Sequence, residues 1–184
     1  MEKNPWVIQS QKTIYDNPWI TVTEYGVLNP SGNPGIYGKV HFKNTAVGIL
    51  ALDEEKNIYL VGQYRFATDS YSWEIPEGGE LVSADPMAGA KRELLEETGL
   101  QAKNWEVLLT MHLSNSVSDE KAIVYLATGL TQHLSSPEET EQLVVKKMPL
   151  EQAYQLVEQG VITDSISVAA ILKTKLLFGE GKGK

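Results

Sequence analysis

The hydrophobic pattern of the chain changes period partway along its length. In the first third, Ile20 and Val22 alternate with Thr21 and Thr23, the two-residue period of a half-buried strand. The turn formers NPSGNPG (29–35) separate this stretch from a second β-rich one, YGKVHF (37–42). TAVGILAL (45–52) is short and apolar on both faces, as in a central strand. DEEKN (53–57) then turns the chain into IYLVGQYR (58–65), and these two runs are expected to pair as a hairpin. After residue 84 the period lengthens. Asp85-Pro86 opens a helix, because aspartate caps free N–H groups and proline is tolerated in the first turn. Gly99 closes that helix in a left-handed conformation, with Met87, Ala90 or Lys91, Leu94 and Thr98 on one face. Two β-rich runs follow, WEVLLTMHL (105–113) and KAIVYLA (121–127). A helix near Leu150–Gln159 stops at Gly160, and a last one starts at Asp164 or Ser165 and runs through 168–178. Helices that do not alternate strictly with strands predict an α+β fold, an α/β/α sandwich with a mixed sheet between helices.

Composition narrows the function classes. The chain has 184 residues, 42% hydrophobic and 22% charged, so it carries enough apolar surface to order itself as one domain. It has no cysteine, which excludes a disulfide scaffold, a thiolate zinc site and a cysteine nucleophile. Sixteen Lys and Arg against 24 Asp and Glu give a net charge of -8. That balance argues against binding nucleic acid or an anionic membrane, and it suits divalent cations held by oxygen. The N-terminal MEKNPWVIQSQK lacks the apolar core of a signal peptide, and no apolar run is long enough to span a membrane. The expectation is a soluble, cytoplasmic protein with a frayed tail, GEGKGK, at 179–184.

The most informative segment is GGELVSADPMAGAKRELLEETGL, residues 78–100. Glu93, Glu96 and Glu97 are related by three- and four-residue steps, which bring three carboxylates to one side of a helix. Such a cluster opposes helix formation unless cations join it. Arg92 offsets part of the repulsion, and Mg2+ or Mn2+ would offset more, since hard cations favour carboxylate oxygen. The patch directly follows PEGG (76–79), read as a tight turn, so loop backbone and carboxylates together form a phosphate–metal platform. Glu97 is expected to be exposed toward the metal.

This segment resembles the Nudix box, Gx5Ex7REUxEExGU with U a bulky aliphatic residue. Gly78 matches the leading glycine, and RELLEETGL (92–100) matches the whole second half. One position departs: the first glutamate of the pattern falls on Ala84, with Asp85 and Glu80 as partial substitutes. The resemblance extends to the ADP-ribose/ADP-sugar pyrophosphatase branch through VGQYRF (61–66), WEIPEGG (73–79), LSNSVSDE (113–120), PEETEQL (137–143) and GVITDSISVAAIL (160–172). It implies a Nudix fold, with an N-terminal β region (1–44) whose strands are exchanged in a homodimer, a hydrolase domain (45–178) and the tail (179–184).

The activity implied is Mg2+-dependent hydrolysis of the pyrophosphate of a nucleoside diphosphate sugar, ADP-ribose first. The products are a nucleoside monophosphate and a sugar phosphate. Glu93, Glu96 and Glu97, with the backbone carbonyl of Glu77, are the implied metal ligands, and Arg92 joins the catalytic group. A glutamate outside the box serves as base in this branch; Glu141 matches best, Glu139 second, and Glu120 is a third candidate or a brace for its own loop. Arg65 either contacts a phosphate or forms a salt bridge to the box glutamates or to the acidic loop. Trp19 is placed to stack on a base, whereas Trp6 is read as core or interface packing and Trp73 as filler beneath the turn. His41, His112 and His133 have no metal-site spacing. The competing readings are another nucleoside diphosphate derivative as substrate, or a weakly catalytic domain that binds a nucleotide and regulates a partner.

Overall fold

The computed structural model describes residues 3–134 and 143–178. Three antiparallel strands, β1 (Val7–Asp16), β2 (Ile20–Leu28) and β3 (Pro34–Phe42), form the first sheet as a meander. The chain continues through β4 (Asn44–Ala51), β5 (Asn57–Arg65), β6 (Ser70–Glu74) and β7 (Glu77–Leu81) into α1 (Pro86–Thr98). Then come β8 (Leu100–His112), β9 (Lys121–Gln132), β10 (Val144–Pro149), α2 (Leu150–Glu158) and α3 (Ser165–Phe178). The central sheet has the order β7-β4-β9-β8 and is mixed, because β4 and β9 run parallel while the other pairs are antiparallel. A third sheet, β10-β5-β6, is antiparallel.

The side-chain alternation of β4 builds a core on each face of the central sheet. Val47, Ile49 and Ala51 meet Ala90 and Leu94 of α1, with Tyr125 and Ala127 of β9 beside them. Leu50 and Leu52 point the other way, to Val124 and Leu126 of β9 and to Ile166, Ala170 and Ile171 of α3. Helices therefore cover both faces, as the α/β/α reading predicts. The ends of α1 follow the sequence: Asp85 accepts a hydrogen bond from Met87 N–H, and Gly99 takes φ 70°. Asp164 likewise accepts from Ser167 N–H (2.8 Å) at the start of α3.

Two expectations need correction. β4 and β5 are not a hairpin. The two edges of β4 pair with β7 and β9, and Leu52 N–H goes to Ala127 O, which leaves a single Leu52–Ile58 bridge toward β5. A strand apolar on both faces is taken by the sheet centre, and its sequence neighbour is sent to another sheet. PEGG is not a tight turn either: Glu77, Gly78 and Gly79 open β7 and pair with Gly48, Val47 and Ala46. Neither Gly78 nor Gly79 has a positive φ.

The loop between β8 and β9 is fastened to β3. Val40 N–H donates to Val117 O, and the Asp119 carboxylate takes Phe42 N–H (3.0 Å), Lys39 (2.7 Å) and His41 (2.8 Å). Burial alone would raise the Asp119 pKa, but those donors hold it down at about 2. A depressed pKa adds stability above the ordinary value of 3.8 that is lost as pH falls toward 2. Asp119→Asn is expected to lower Tm by about 2–4 °C at neutral pH, corresponding to about 1 kcal/mol for a partly exposed group. The difference from the parent should shrink in melts run below pH 3.8. An unchanged Tm at pH 7 would remove Asp119 as an anchor.

Candidate active site

Strand β7 and helix α1 face each other, and the site is built where they touch. Gly78 lies under the Glu93 carboxylate so closely that a Cβ there would stand 2.2 Å from Glu93 Cδ. Arg92 donates to Glu93 Oε1 (2.8 Å), Glu96 Oε2 (2.8 Å) and the backbone carbonyl of Gly79 (3.3 Å). One turn on, Glu97 Oε2 accepts the backbone N–H of Glu77 (3.0 Å). Glu97 is only 2% exposed, contrary to the expectation of an exposed group. It follows Ala90 and Leu94 around the helix onto the buried side, so its charge is held against the β7 backbone.

Beyond Glu77 lies a second acidic group that the sequence pattern did not single out. Glu74, Glu77 and Asp164 offer carboxylate oxygens all within 4.8 Å of one another. Arg65 forms ion pairs, though with Glu74 and Glu77 in place of the box glutamates or acidic loop expected: its Nε meets both oxygens of Glu74 at 3.0 Å, and its terminal nitrogen meets Glu77 at 2.7 Å. Burial pushes the Glu77 carboxyl well above the ordinary range, and the negative charges of Asp164 and Glu74 push it further. Glu77 Oε2 is buried without a hydrogen-bond partner among the described residues. The signals for Glu74 were its place beside Glu77 in WEIPE and the chance that Arg65 would turn inward. For Asp164 the only signal was a helix cap, which does not say that the cap faces a site.

Two cavities meet over Gly78. One, of ≈ 410 Å³, is lined by Trp19, Phe42, Asn44, Arg92 and Glu93. The other, of ≈ 660 Å³, is lined by Arg65, Glu74, Glu77 and Asp164 and by the hydroxyl residues Thr68, Ser70, Ser72, Thr163 and Ser165. Ala46, Gly78 and Glu120 belong to both, so they form one groove across the β4–β7 edge. Burial raises the Glu120 carboxyl, which faces both halves. Trp19 stands 66% exposed at one end. Trp6 packs edge-on against Tyr37 in the N-terminal sheet, and Trp73 packs against the core below β6. Glu139 and Glu141 lie outside the described residues. The oxygen donors of this groove suit Mg2+ or Mn2+, and the orphaned Glu77 oxygen and the Gly78 cradle for Glu93 fit a bound cation.

A mixed sheet between helices with a carboxylate helix laid on a glycine strand defines a class, and the comparisons agree with it. The NUDIX domain family model matches residues 42–168, and the chain belongs to the Nudix family. An ADP-ribose pyrophosphatase of Mycobacterium tuberculosis is 39% identical over 131 residues, which is 69% of this chain and 63% of that protein's length. A CMP-5'-(N-acetyl-N-hydroxy-3-aminopropyl)phosphonate hydrolase of Streptomyces rubellomurinus is 29% identical over 95% of this chain and 84% of its own. A crystal structure of an ADP compounds hydrolase superposes with a TM-score of 0.86 over the full length of both chains, at 22% identity, and so shares the fold.

Proposed function

We propose that the protein hydrolyses the pyrophosphate of a nucleoside diphosphate sugar in a Mg2+-dependent reaction, with ADP-ribose as first substrate. The observation that carries this reading is the pair of cavities adjoining at Gly78, one lined by Glu93 and Arg92 of the box and by Trp19, the other by hydroxyl residues. Glu93, Glu96 and Glu97, with the carbonyl of Glu77, would hold the metal. Such an ion neutralises phosphate charge and polarises a phosphoryl oxygen. The chain's own residues do the rest. Arg92 orients Glu93 and Glu96 by charge-assisted hydrogen bonds, and Glu97 fixes the Glu77 backbone. Trp19 offers an exposed ring for base stacking, and the hydroxyl-lined end suits a polyol. Arg65 is engaged by Glu74 and Glu77, so it positions Glu77 instead of reaching for phosphate. Glu141, with Glu139 second, is assigned as the base that takes the proton of the attacking water.

The N-terminal sheet is part of the proposal. All ten residues of β1 are exposed, and Trp6, Ile8, Val27 and Tyr37 line an apolar hollow of ≈ 320 Å³, a surface suited to a homodimer. A monomer by light scattering would overturn that part. Among the described residues no helix is long and apolar enough to cross a membrane. The Streptomyces relative, which aligns over nearly the whole chain, favours a second reading in which the nucleotide is not ADP-linked.

Both readings are separated by product release from a panel of nucleotide sugars and other nucleoside diphosphate derivatives with Mg2+. ADP-ribose is expected to be cleaved fastest, and Glu141→Gln to lower kcat by about 10²-fold with metal affinity kept. Faster cleavage of another nucleotide moves the substrate. Nucleotide binding without cleavage of any member supports the regulatory domain instead.

A further inference from the structure

Arg92 has an awkward task if the proposed metal reading holds. In this structure its guanidinium neutralises Glu93 and Glu96. A divalent ion on those same carboxylates would stand beside Arg92, cation next to cation, and raise the cost of keeping the arginine in place. On the β7 side Arg92 donates to the Gly79 carbonyl (3.3 Å), a neutral partner that does not balance its charge.

Glu80, the last residue but one of β7, is a carboxylate on that side. Its Oε2 stands 3.9 Å from the Arg92 terminal nitrogen, and its side chain is mostly buried. Its Oε1 accepts Leu81 N–H at 3.0 Å, which fixes the carboxylate's orientation. Helix α1 makes room for it: a Cβ on Gly89 would come within 2.7 Å of Glu80 Cβ and 2.9 Å of its Oε2. Ala84, where the box pattern carries a glutamate, is exposed and has no charge to offer.

We propose that Glu80 is a positioning residue that acts as the counter-ion of Arg92, keeping the arginine on the β7 side when Glu93 and Glu96 turn to a divalent cation. The role rests on the metal-dependent reading above and deepens it. Glu80 touches neither metal nor substrate; it acts through Arg92, and it supplies from β7 the charge that Ala84 lacks.

Glu80→Gln is the test, because glutamine preserves the shape and the Leu81 N–H acceptor while it removes the charge and turns the oxygen facing Arg92 into an NH2 group. Mn2+ affinity is measured by calorimetry on the full chain without nucleotide. The variant is expected to bind Mn2+ about tenfold more weakly, the range seen when groups supporting a ligand are lost. Its Tm in EDTA should stay within about 2 °C of the parent, because without metal Arg92 already has Glu93 and Glu96. At saturating Mg2+ the KM for ADP-ribose should be unchanged. In an Arg92→Gln background, which removes the cation that Glu80 is proposed to balance, Glu80→Gln should add less than about twofold, since the two act as a unit. Mn2+ binding as tight as the parent's overturns the proposal. So does a fully additive loss in the Arg92→Gln background, or a fall in Tm in EDTA that accounts for the weaker binding. A parent that binds no Mn2+ fails the metal reading itself and takes this role with it, whereas a parent that binds Mn2+ beside an unaffected Glu80→Gln removes only Glu80.

Discussion

Glu97→Gln is expected to lower kcat on ADP-ribose by about 10²–10³-fold at saturating Mg2+, a loss of several kcal/mol of transition-state stabilisation. The fold should survive. Glutamine still offers an oxygen to the Glu77 N–H that Glu97 Oε2 now accepts, so the clamp between α1 and β7 stays closed. Stability without metal should be unchanged or slightly higher. The Glu97 charge is one of those that push the buried Glu77 carboxyl upward, and neutralising it relieves repulsion. A melt in EDTA should therefore give a Tm equal to the parent's or about 2 °C above it. Turnover near the parent's, with an intact melt, would take Glu97 out of the reacting site and leave it as a buried brace.

The sequence leads to the same loss of turnover but from an exposed Glu97, and the burial of that residue shows what a helix pattern can and cannot carry. The three- and four-residue steps of Glu93, Glu96 and Glu97 place them on one side of α1 correctly. They do not say which side the sheet covers. Ala90, Leu94 and Thr98 mark the buried stripe, and Glu97 lies next to it, so the fold buries a carboxylate that composition would leave in water. The caps at Asp85, Gly99 and Asp164 were legible because capping is local chemistry. The pairing of β4 was not. A short apolar run is compatible with either neighbour, and the choice of β7 and β9 over β5 rests on contacts across the whole chain. The Glu74–Glu77–Asp164 group was hidden for the same reason, since Glu77 and Asp164 are 87 positions apart in the sequence and only the docking of α3 brings them together. Arg65 sat between two readings that charge alone could not rank, and the geometry of Glu74 beside it decides for the ion pair.

Gly78→Ala should be nearly as damaging to turnover as Glu97→Gln, for a steric reason in place of an electrostatic one. The backbone at 78 does not take a positive φ, so alanine fits the strand conformation. What does not fit is its methyl group, which would stand 2.2 Å from both Glu93 Cδ and Oε1 and 2.7 Å from Oε2. The obstacle is the free end of a flexible side chain, so Glu93 can swing aside and the protein still folds, at a cost of about 1–3 kcal/mol. The swing takes Glu93 away from Arg92 and from the position proposed for the metal. A displacement of about 1 Å at such a group is enough for about a 10²-fold loss, which is the expected fall in kcat/KM. The neighbouring glycine supplies the control. A Cβ on Gly79 would meet Asn44 Nδ2 at 3.1 Å, a tight contact that a few tenths of an ångström relieve. Gly79→Ala should thus keep turnover within about threefold of the parent, because it leaves Glu93 untouched. If Gly78→Ala and Gly79→Ala were equally active, the close approach of Glu93 to β7 would have no part in the reaction, and the ligand set would have to be sought around Glu74, Glu77 and Asp164.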